Sequence, residues 1–221
     1  GGVFEIADGG GRSISGAGAP CAEQRREVGA VHDAVAVEIT GARRSDTVDR
    51  AFERSTRRVA SLDRLFYAAS EAADFSVLWH LVGATRALTG GKEDEAAAIR
   101  LSVCLGIEAA LVNGPVKSLF NRSRPVDPTP RARQVRQPRT SSFPSGHASA
   151  AAMAATLLAD RSRVPALWYG LAAVVATSRI HVSIHHASDV VAGAAVGLAL
   201  GRVALRVWPV PAAAPAAAQA R

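Results

Sequence analysis

Only two cysteines, Cys21 and Cys104, occur in 221 residues. That excludes a disulfide scaffold and a cysteine-rich zinc module. Cys104 lies inside an apolar run and reads as a small packing residue. Aromatic residues make up 5% of the chain, too few for aromatic cages or base-stacking platforms. Lysine is scarce as well: Lys92 and Lys117 stand against 24 arginines. Alanine fills about a fifth of the chain, with 46 residues. Such an Arg and Ala bias reflects codon composition first, so one Arg says little and one Lys says more. The chain does not open on Met, which reads as a processed form or a fragment. Residues 1–20 are Gly/Ser-rich and hold no apolar core of a signal peptide.

What is present is apolar and basic. Hydrophobic residues make up 48% and the formal net charge is +7. The length suits one compact domain, and such a chain is too apolar to be wholly disordered. A sequence pI near 10.6 admits nucleic acid, an anionic membrane surface or a phosphorylated substrate as partner. Residues 1–41 read as a weakly structured extension, and residues 209–221 as a disordered Pro/Ala tail. Residues 42–67 carry seven Arg against four acids, with Val59, Leu62, Leu65 and Phe66 at helical spacing. This predicts a basic amphipathic helix, lying on a membrane surface or exposed on a soluble domain.

From there to residue 208 the chain is apolar in blocks: Phe75 to Thr85, Leu101 to Val116, Thr140 to Ala159, Val164 to Ser178 and Val190 to Gly201. Alternation is absent and Ala dominates, so the blocks predict an all-α helical bundle of about five apolar helices. Only Thr140 to Ala159 reaches twenty residues without a charge, and a bilayer span needs about 20. Gly193 and Gly197 form a small-xxx-small pair that suits close packing of membrane helices. The expectation is a multi-pass membrane bundle.

Three polar clusters interrupt these blocks. In the first, Lys117 and Arg124 are two helical turns apart and project from one face, with Pro125 ending the helix. They form either an anion clamp or a basic patch at a membrane interface. In the second, Pro144, Ser145, Gly146 and His147 precede an Ala-rich run, with Ser145 as N-cap or first-turn residue; this is either a phosphate-binding helix start or a plain Ser cap with an incidental His. The free N–H groups of such a helix start bind phosphate, and Gly146 lets an anion approach closely. In the third, Arg179 precedes His185 and Asp189, four apart and facing across one helical turn. A carboxylate there fixes the imidazole tautomer and makes its other nitrogen more basic. His181, His185 and Asp189 also fall at i, i+4 and i+8, which could be a metal face if one helix ran through all three.

Taken together, Lys117-x6-Arg124-Pro125, Pro144-Ser145-Gly146-His147 and Ser178-Arg179-x5-His185-x3-Asp189 resemble the three-part signature of the type 2 phosphatidic acid phosphatase (PAP2) superfamily. That group includes lipid phosphatases, bacterial acid phosphatases and vanadium haloperoxidases. The resemblance covers residues 70–205 and implies a domain of about residues 68–208. It implies that His185 is a nucleophile forming a phosphohistidine, that Asp189 orients it, and that His147 protonates the leaving oxygen and then activates water. Lys117, Arg124, Ser145, Gly146 and Arg179 would hold the phosphoryl oxygens. The cations and N–H dipoles suffice to neutralise that group, so the resemblance implies neither metal nor cofactor.

The expected substrate is a lipid phosphomonoester or pyrophosphate, such as phosphatidate, phosphatidylglycerol phosphate or a polyprenyl pyrophosphate. The resemblance also implies a multi-pass protein of the cell membrane with its site on the extracytoplasmic face. On that arrangement the Arg-rich 42–67 helix would lie on the other side and satisfy the positive-inside tendency. Arg122, His181 and His186 receive no role. Arg131 to Arg139 reads as a loop that attracts anionic substrate or as solvated surface. The alternatives are a soluble or periplasmic acid phosphatase, or a haloperoxidase, on the same residues. A nucleic-acid-binding protein is disfavoured because the apolar blocks split the arginines.

Overall fold

The computed structural model describes residues 47–125, 137–138 and 140–210. The 1–41 extension, residues 131–136 and Arg139 of the basic loop, and residues 211–221 of the tail lie outside the described residues. Everything described belongs to one unit that begins at Arg43, and all its regular structure is helical. Helix α1 covers residues 47–57. It is followed by α2 (Ala60–Ala72), a 3₁₀ turn (Asp74–Ser76), α3 (Val77–Thr89), α4 (Lys92–Leu111) and a π-helical turn (Val112–Val116). Then come α5 (Gly146–Ala159), α6 (Pro165–His181) and α7 (Ala187–Val207).

The helix ends follow local chemistry. Ser145 caps α5, its Oγ accepting the Ala148 N–H at 3.4 Å, as the sequence predicts. Pro165 opens α6 where no N–H is needed. Glu93, Asp94 and Glu95 crowd the first turn of α4, where the helix dipole favours negative charge. Asp189 sits in the first turn of α7, its Oδ2 accepting the His186 N–H at 3.0 Å.

Helix α5 is the hub. Residues 148–158 are all buried or nearly so around its whole circumference, the signature of a central helix. It packs against α7 and α6, and also touches α4. The closest approach is to α7. A Cβ placed on Gly193 would collide with the carbonyl oxygen of Ser145, and one on Gly197 with that of Ser149. A Cβ on Gly201, one helical turn further on, would press on the side chain of Thr156. Hydrogen in place of a methyl group at these positions lets the two backbones touch.

Three expectations need correction. The predicted 42–67 helix breaks at Arg58 and Val59 into α1 and α2. Both pack at the end of the bundle that carries the three motifs, through His181, Ser183 and His186, and not on the opposite side. Second, the helix bearing Lys117 stops after Ser118. Arg124 therefore sits in a non-helical segment and shares no helix face with Lys117. Third, span length does not follow the apolar blocks. The uncharged Thr140 to Ala159 run yields only the 14 residues of α5, about 21 Å at 1.5 Å per residue. Among the described residues, α7 alone is long and apolar enough to cross a bilayer.

The Gly197 contact sets a test. Gly197→Ala forces a methyl group into the Ser149 carbonyl and should destabilise the protein by about 1–3 kcal/mol, read as a lower melting temperature in detergent. Gly170→Ala, at a position where a Cβ meets nothing within 4 Å, is the control and should leave melting unchanged. Equal melting of the two variants would remove the close α5–α7 contact.

Candidate active site

The three clusters converge at one end of the bundle. Helix α6 ends at His181, and residues 182–186 form a loop that leads into α7. His185 therefore lies before the helix and not on its face, although it still meets Asp189: its Nδ1 is 3.6 Å from Asp189 Oδ2. The same break separates His181 from this pair. Its Nδ1 bonds Thr56 Oγ1 at 2.8 Å and its Nε2 bonds Asp63 Oδ1 at 2.9 Å, so the metal face of three does not form.

Asp189 is wholly buried and collects donors from three segments. Ser142 Oγ donates to its Oδ2, the His186 N–H to the same oxygen, and Arg122 Nη1 to Oδ1 at 2.7 Å. Arg122, given no role by the sequence, thus supplies the charge that balances the orienting carboxylate.

The tautomer of His185 follows from its neighbours. Arg124 Nη1 lies 3.4 Å from His185 Nε2, and a guanidinium only donates. Nε2 therefore keeps its lone pair, and the ring proton sits on Nδ1, toward Asp189. The Nδ1–H has no hydrogen-bond partner. At 3.6 Å the Nδ1–H dipole faces the Asp189 carboxylate but is still too far for a hydrogen bond, a contact of a kind that tightens when substrate binds. Burial is the main reason that His185 is pushed down from 6.5 to about 4; Arg124 and Arg179 add to it, and Asp189 opposes it. At neutral pH its imidazole is uncharged and nucleophilic.

The cations differ in what they have free. Arg124 donates to the carbonyls of Pro138, Thr140, Ser141 and Ile184. It ties the first motif to the second and third, and turns only one edge to His185. Arg179 is 2% exposed. Its Nη1 is held by Ser70, while its Nε has no partner. Lys117 is buried and lowered from 10.5 to about 8, first by burial and then by Arg124. It therefore keeps its charge at pH 7 and loses it above about 8. Ser145 is fully buried and its oxygen is occupied as the cap. The Gly146 and His147 N–H groups are first-turn donors without intrahelical acceptors.

His147 has a partner that the sequence reading missed. Its Nε2 is 2.7 Å from Asp74 Oδ1. Asp74 stands in the 3₁₀ turn, where Phe75 and Ser76 both adopt left-handed backbone angles (φ 53° and 59°). Asp74 carries no motif, and 73 residues separate it from His147; only the fold joins them. A carboxylate at Nε2 leaves Nδ1 of His147 to exchange a proton with whatever occupies the site. The site therefore holds two imidazoles, each faced by a carboxylate, and three cations.

A family model of the PAP2 superfamily matches residues 97–211, more than half of the chain, and all three motifs fall inside it. The chain belongs to the PAP2 superfamily. Among curated proteins, the decaprenylphosphoryl-5-phosphoribose phosphatase of Mycobacterium tuberculosis is 38% identical over 88 residues in two strains, CDC 1551 / Oshkosh and ATCC 25618 / H37Rv. That is 40% of this chain and 49% of those proteins, so the chain spans about half the length of the curated relatives it matches. Among solved structures, the fold is similar to the transmembrane PAP2 type phosphatidylglycerolphosphate phosphatase of Bacillus subtilis. That TM-score is 0.55 at 20% identity, over 73% of this chain and 85% of that one. It is also similar to Aquifex aeolicus LpxE, with a TM-score of 0.51 at 22% identity, over 72% and 93%. At these identities the likeness is one of fold. The PAP2 match begins inside α4, so α1, α2 and Asp74 all lie outside it.

The His185 environment predicts a titration. In isotope-labelled protein in detergent, NMR should show one imidazole protonating near pH 4, and His185→Asn should remove that signal. If every histidine titrates near 6.5, His185 is not buried as described.

Proposed function

We propose that this PAP2 protein is a membrane phosphatase that hydrolyses a phosphomonoester or pyrophosphate carried by a lipid. The observation that carries this reading is the setting of His185. Its Nε2 lies 3.4 Å from Arg124 Nη1, with Arg179 near enough to act on the ring, and its Nδ1 faces Asp189.

In the proposed reaction, His185 Nε2 attacks phosphorus. The N–P bond forms as the bond from phosphorus to the lipid-side oxygen breaks. His147, protonated at Nδ1 and held at Nε2 by Asp74, gives its proton to the leaving oxygen. The lipid alcohol, or from a pyrophosphate the lipid monophosphate, departs and phosphohistidine remains. His147, now neutral, takes a proton from water as that water attacks phosphorus. Inorganic phosphate leaves, and His185 regains its lone pair. Lys117, the Arg179 Nε–H and the first-turn N–H groups of α5 bind the phosphoryl oxygens. Their positive field stabilises charge spread over those oxygens in the transition state. Arg124 fixes the site more than it binds, because four carbonyls occupy its donors.

A lipid fits the surroundings better than a soluble ester does. Leu81, Leu88, Ile99, Ile107, Leu167, Val191, Val203 and Val207 stand exposed on the outer faces of α3, α4, α6 and α7. So large an apolar surface needs an apolar solvent. The chemistry sits at the helix ends, where a head group meets water. The curated relatives act, by name, on a phosphate attached to a decaprenyl-linked sugar, which favours a polyprenyl-linked phosphate among the candidates.

Phosphate release from phosphatidate, phosphatidylglycerol phosphate and farnesyl pyrophosphate in detergent, with chelator present, tests the reading. Wild type should release phosphate, and His185→Ala should lose at least about 10³-fold. Asp74→Asn should lose about 10²-fold, as expected when a general acid–base residue loses its orienting partner. Full activity in His185→Ala would remove the mechanism, and abolition by chelator would replace it with a metal-dependent one.

The membrane face is proposed from the resemblance: the site end faces away from the cytoplasm. The arginines of α1 and α2 gather at that same end and oppose the positive-inside tendency. In a variant lacking the native cysteines, a cysteine at exposed Ser118 should react with an impermeant maleimide in intact cells. Reaction only after permeabilisation would place the site on the cytoplasmic side.

A further inference from the structure

We propose that α1 and α2 form a strap that positions the nucleophile loop, with Asp49 as its principal positioning residue. The proposal rests on the reading of His185 as nucleophile.

The contacts follow a helical stripe. On α1, Asp49, Glu53 and Thr56 recur at i, i+4 and i+7, and therefore share one face. On α2, Asp63 and Ser70, seven apart, continue it. Each reaches the segment 179–187. Ser70 holds Arg179. Asp63 and Thr56 hold the two ring nitrogens of His181. Glu53 accepts from Ser183 Oγ through one oxygen and pairs with Arg57 through the other at 3.0 Å. Asp49 accepts the Ala187 N–H at 3.0 Å, and its other oxygen lies 3.1 Å from His186 Nδ1. His185 is the exception in this run and turns to Arg124 and Asp189 instead.

Two features show that the loop needs holding. Ser183, two residues before His185, is a non-glycine residue at φ 51°. Such a conformation persists only where its surroundings over-determine it, and Glu53 grips its side chain. Asp49 is 5% exposed. A carboxylate that deeply buried is retained only when its oxygens are satisfied, and here the satisfying groups are His186 and the first turn of α7. It serves that helix as an N-cap supplied by another helix, with its charge at the positive end of the dipole. The turn that it caps also carries Asp189. Through Asp49, α1 fixes both the residue after the nucleophile and the helix start that orients it.

The test uses the full chain in detergent micelles. The variants are Asp49→Ala, Asp49→Asn and Glu53→Gln, assayed on the three lipid phosphates above and by hydrogen exchange. Asp49→Ala should lower kcat about 10²-fold, as a misplaced reacting group does, with KM little changed. Asp49→Asn, which keeps an oxygen for the Ala187 N–H, should recover most of that loss. Amides 183–188 should exchange faster in Asp49→Ala, while those of α5 stay as in wild type. If Asp49→Ala fails to fold, Glu53→Gln carries the same expectation for kcat and for amides 183–185. Equal losses in the Ala and Asn variants, or faster exchange throughout the bundle, would make Asp49 a general stability residue and overturn the proposal. If wild type hydrolyses none of the three lipids, the phosphatase reading fails by itself. The exchange data then decide the strap: faster exchange confined to 183–188 supports it, and unchanged exchange overturns it.

Discussion

A single buried carboxylate organises this end of the molecule. Asp189 has no exposure to water, and a charge in that position is tolerated only when it is surrounded by donors. The donors come from Arg122, Ser142 and the His186 backbone, with the His185 ring facing the same oxygen. The segments that carry them are otherwise unrelated: the stretch after Lys117, the turn before α5 and the loop after α6. Satisfying Asp189 therefore brings the three motifs together. The Ser145 N–H adds a backbone bond to the Asp189 carbonyl at 3.0 Å, which locks the start of α5 to the start of α7.

That lock depends on what α7 lacks. Gly193 and Gly197 leave room for the carbonyls of Ser145 and Ser149, so α5 and α7 approach with their backbones in contact. A side chain at either position would move the N-terminus of α5 away from Asp189. The phosphate-ready N–H groups and His147 would move with it. The small residues of the apolar core thus reach the chemistry directly, with no relay.

The motifs were legible because they are local: helix starts, a Ser cap, and a His with an Asp four residues on. So was the all-helical class, since Ala-rich blocks without alternation have no other use. The geometry between motifs was less so. Lys117 and Arg124 read as partners on one helix face, yet the chain leaves the helix after Ser118. Arg124 is drawn off by four carbonyls that lie 14 to 60 residues away in sequence. Asp74 and Asp49 could not be found at all. Each is one acid among others in a stretch without a motif, 73 residues from His147 and 137 from His186. The 42–67 segment read as one basic helix, whereas its described part is two helices broken at Arg58 and Val59, and its acids were passed over. They turned out to be the side that faces the site.

The cations of the site favour an anionic ligand, in keeping with the proposed phosphoryl substrate. Burial first, and then Arg124 and Arg179, depress Lys117 to about 8, and Arg124 likewise makes the buried Arg179 harder to hold as a cation. Glu108 and Asp189 offset Lys117 in part, and Asp74 offsets Arg179. Asp189 also pairs with Arg122, so its charge is shared. An anionic ligand can add further counter-charge. A phosphoryl group with two negative charges supplies it, with three oxygens to match separate donors. A neutral head group leaves the repulsion in place, and a cationic one increases it. The same field acts on His185, the proposed nucleophile. Burial first, and Arg124 and Arg179 after it, hold its imidazole unprotonated, so the cations that favour phosphate also help to keep the ring neutral.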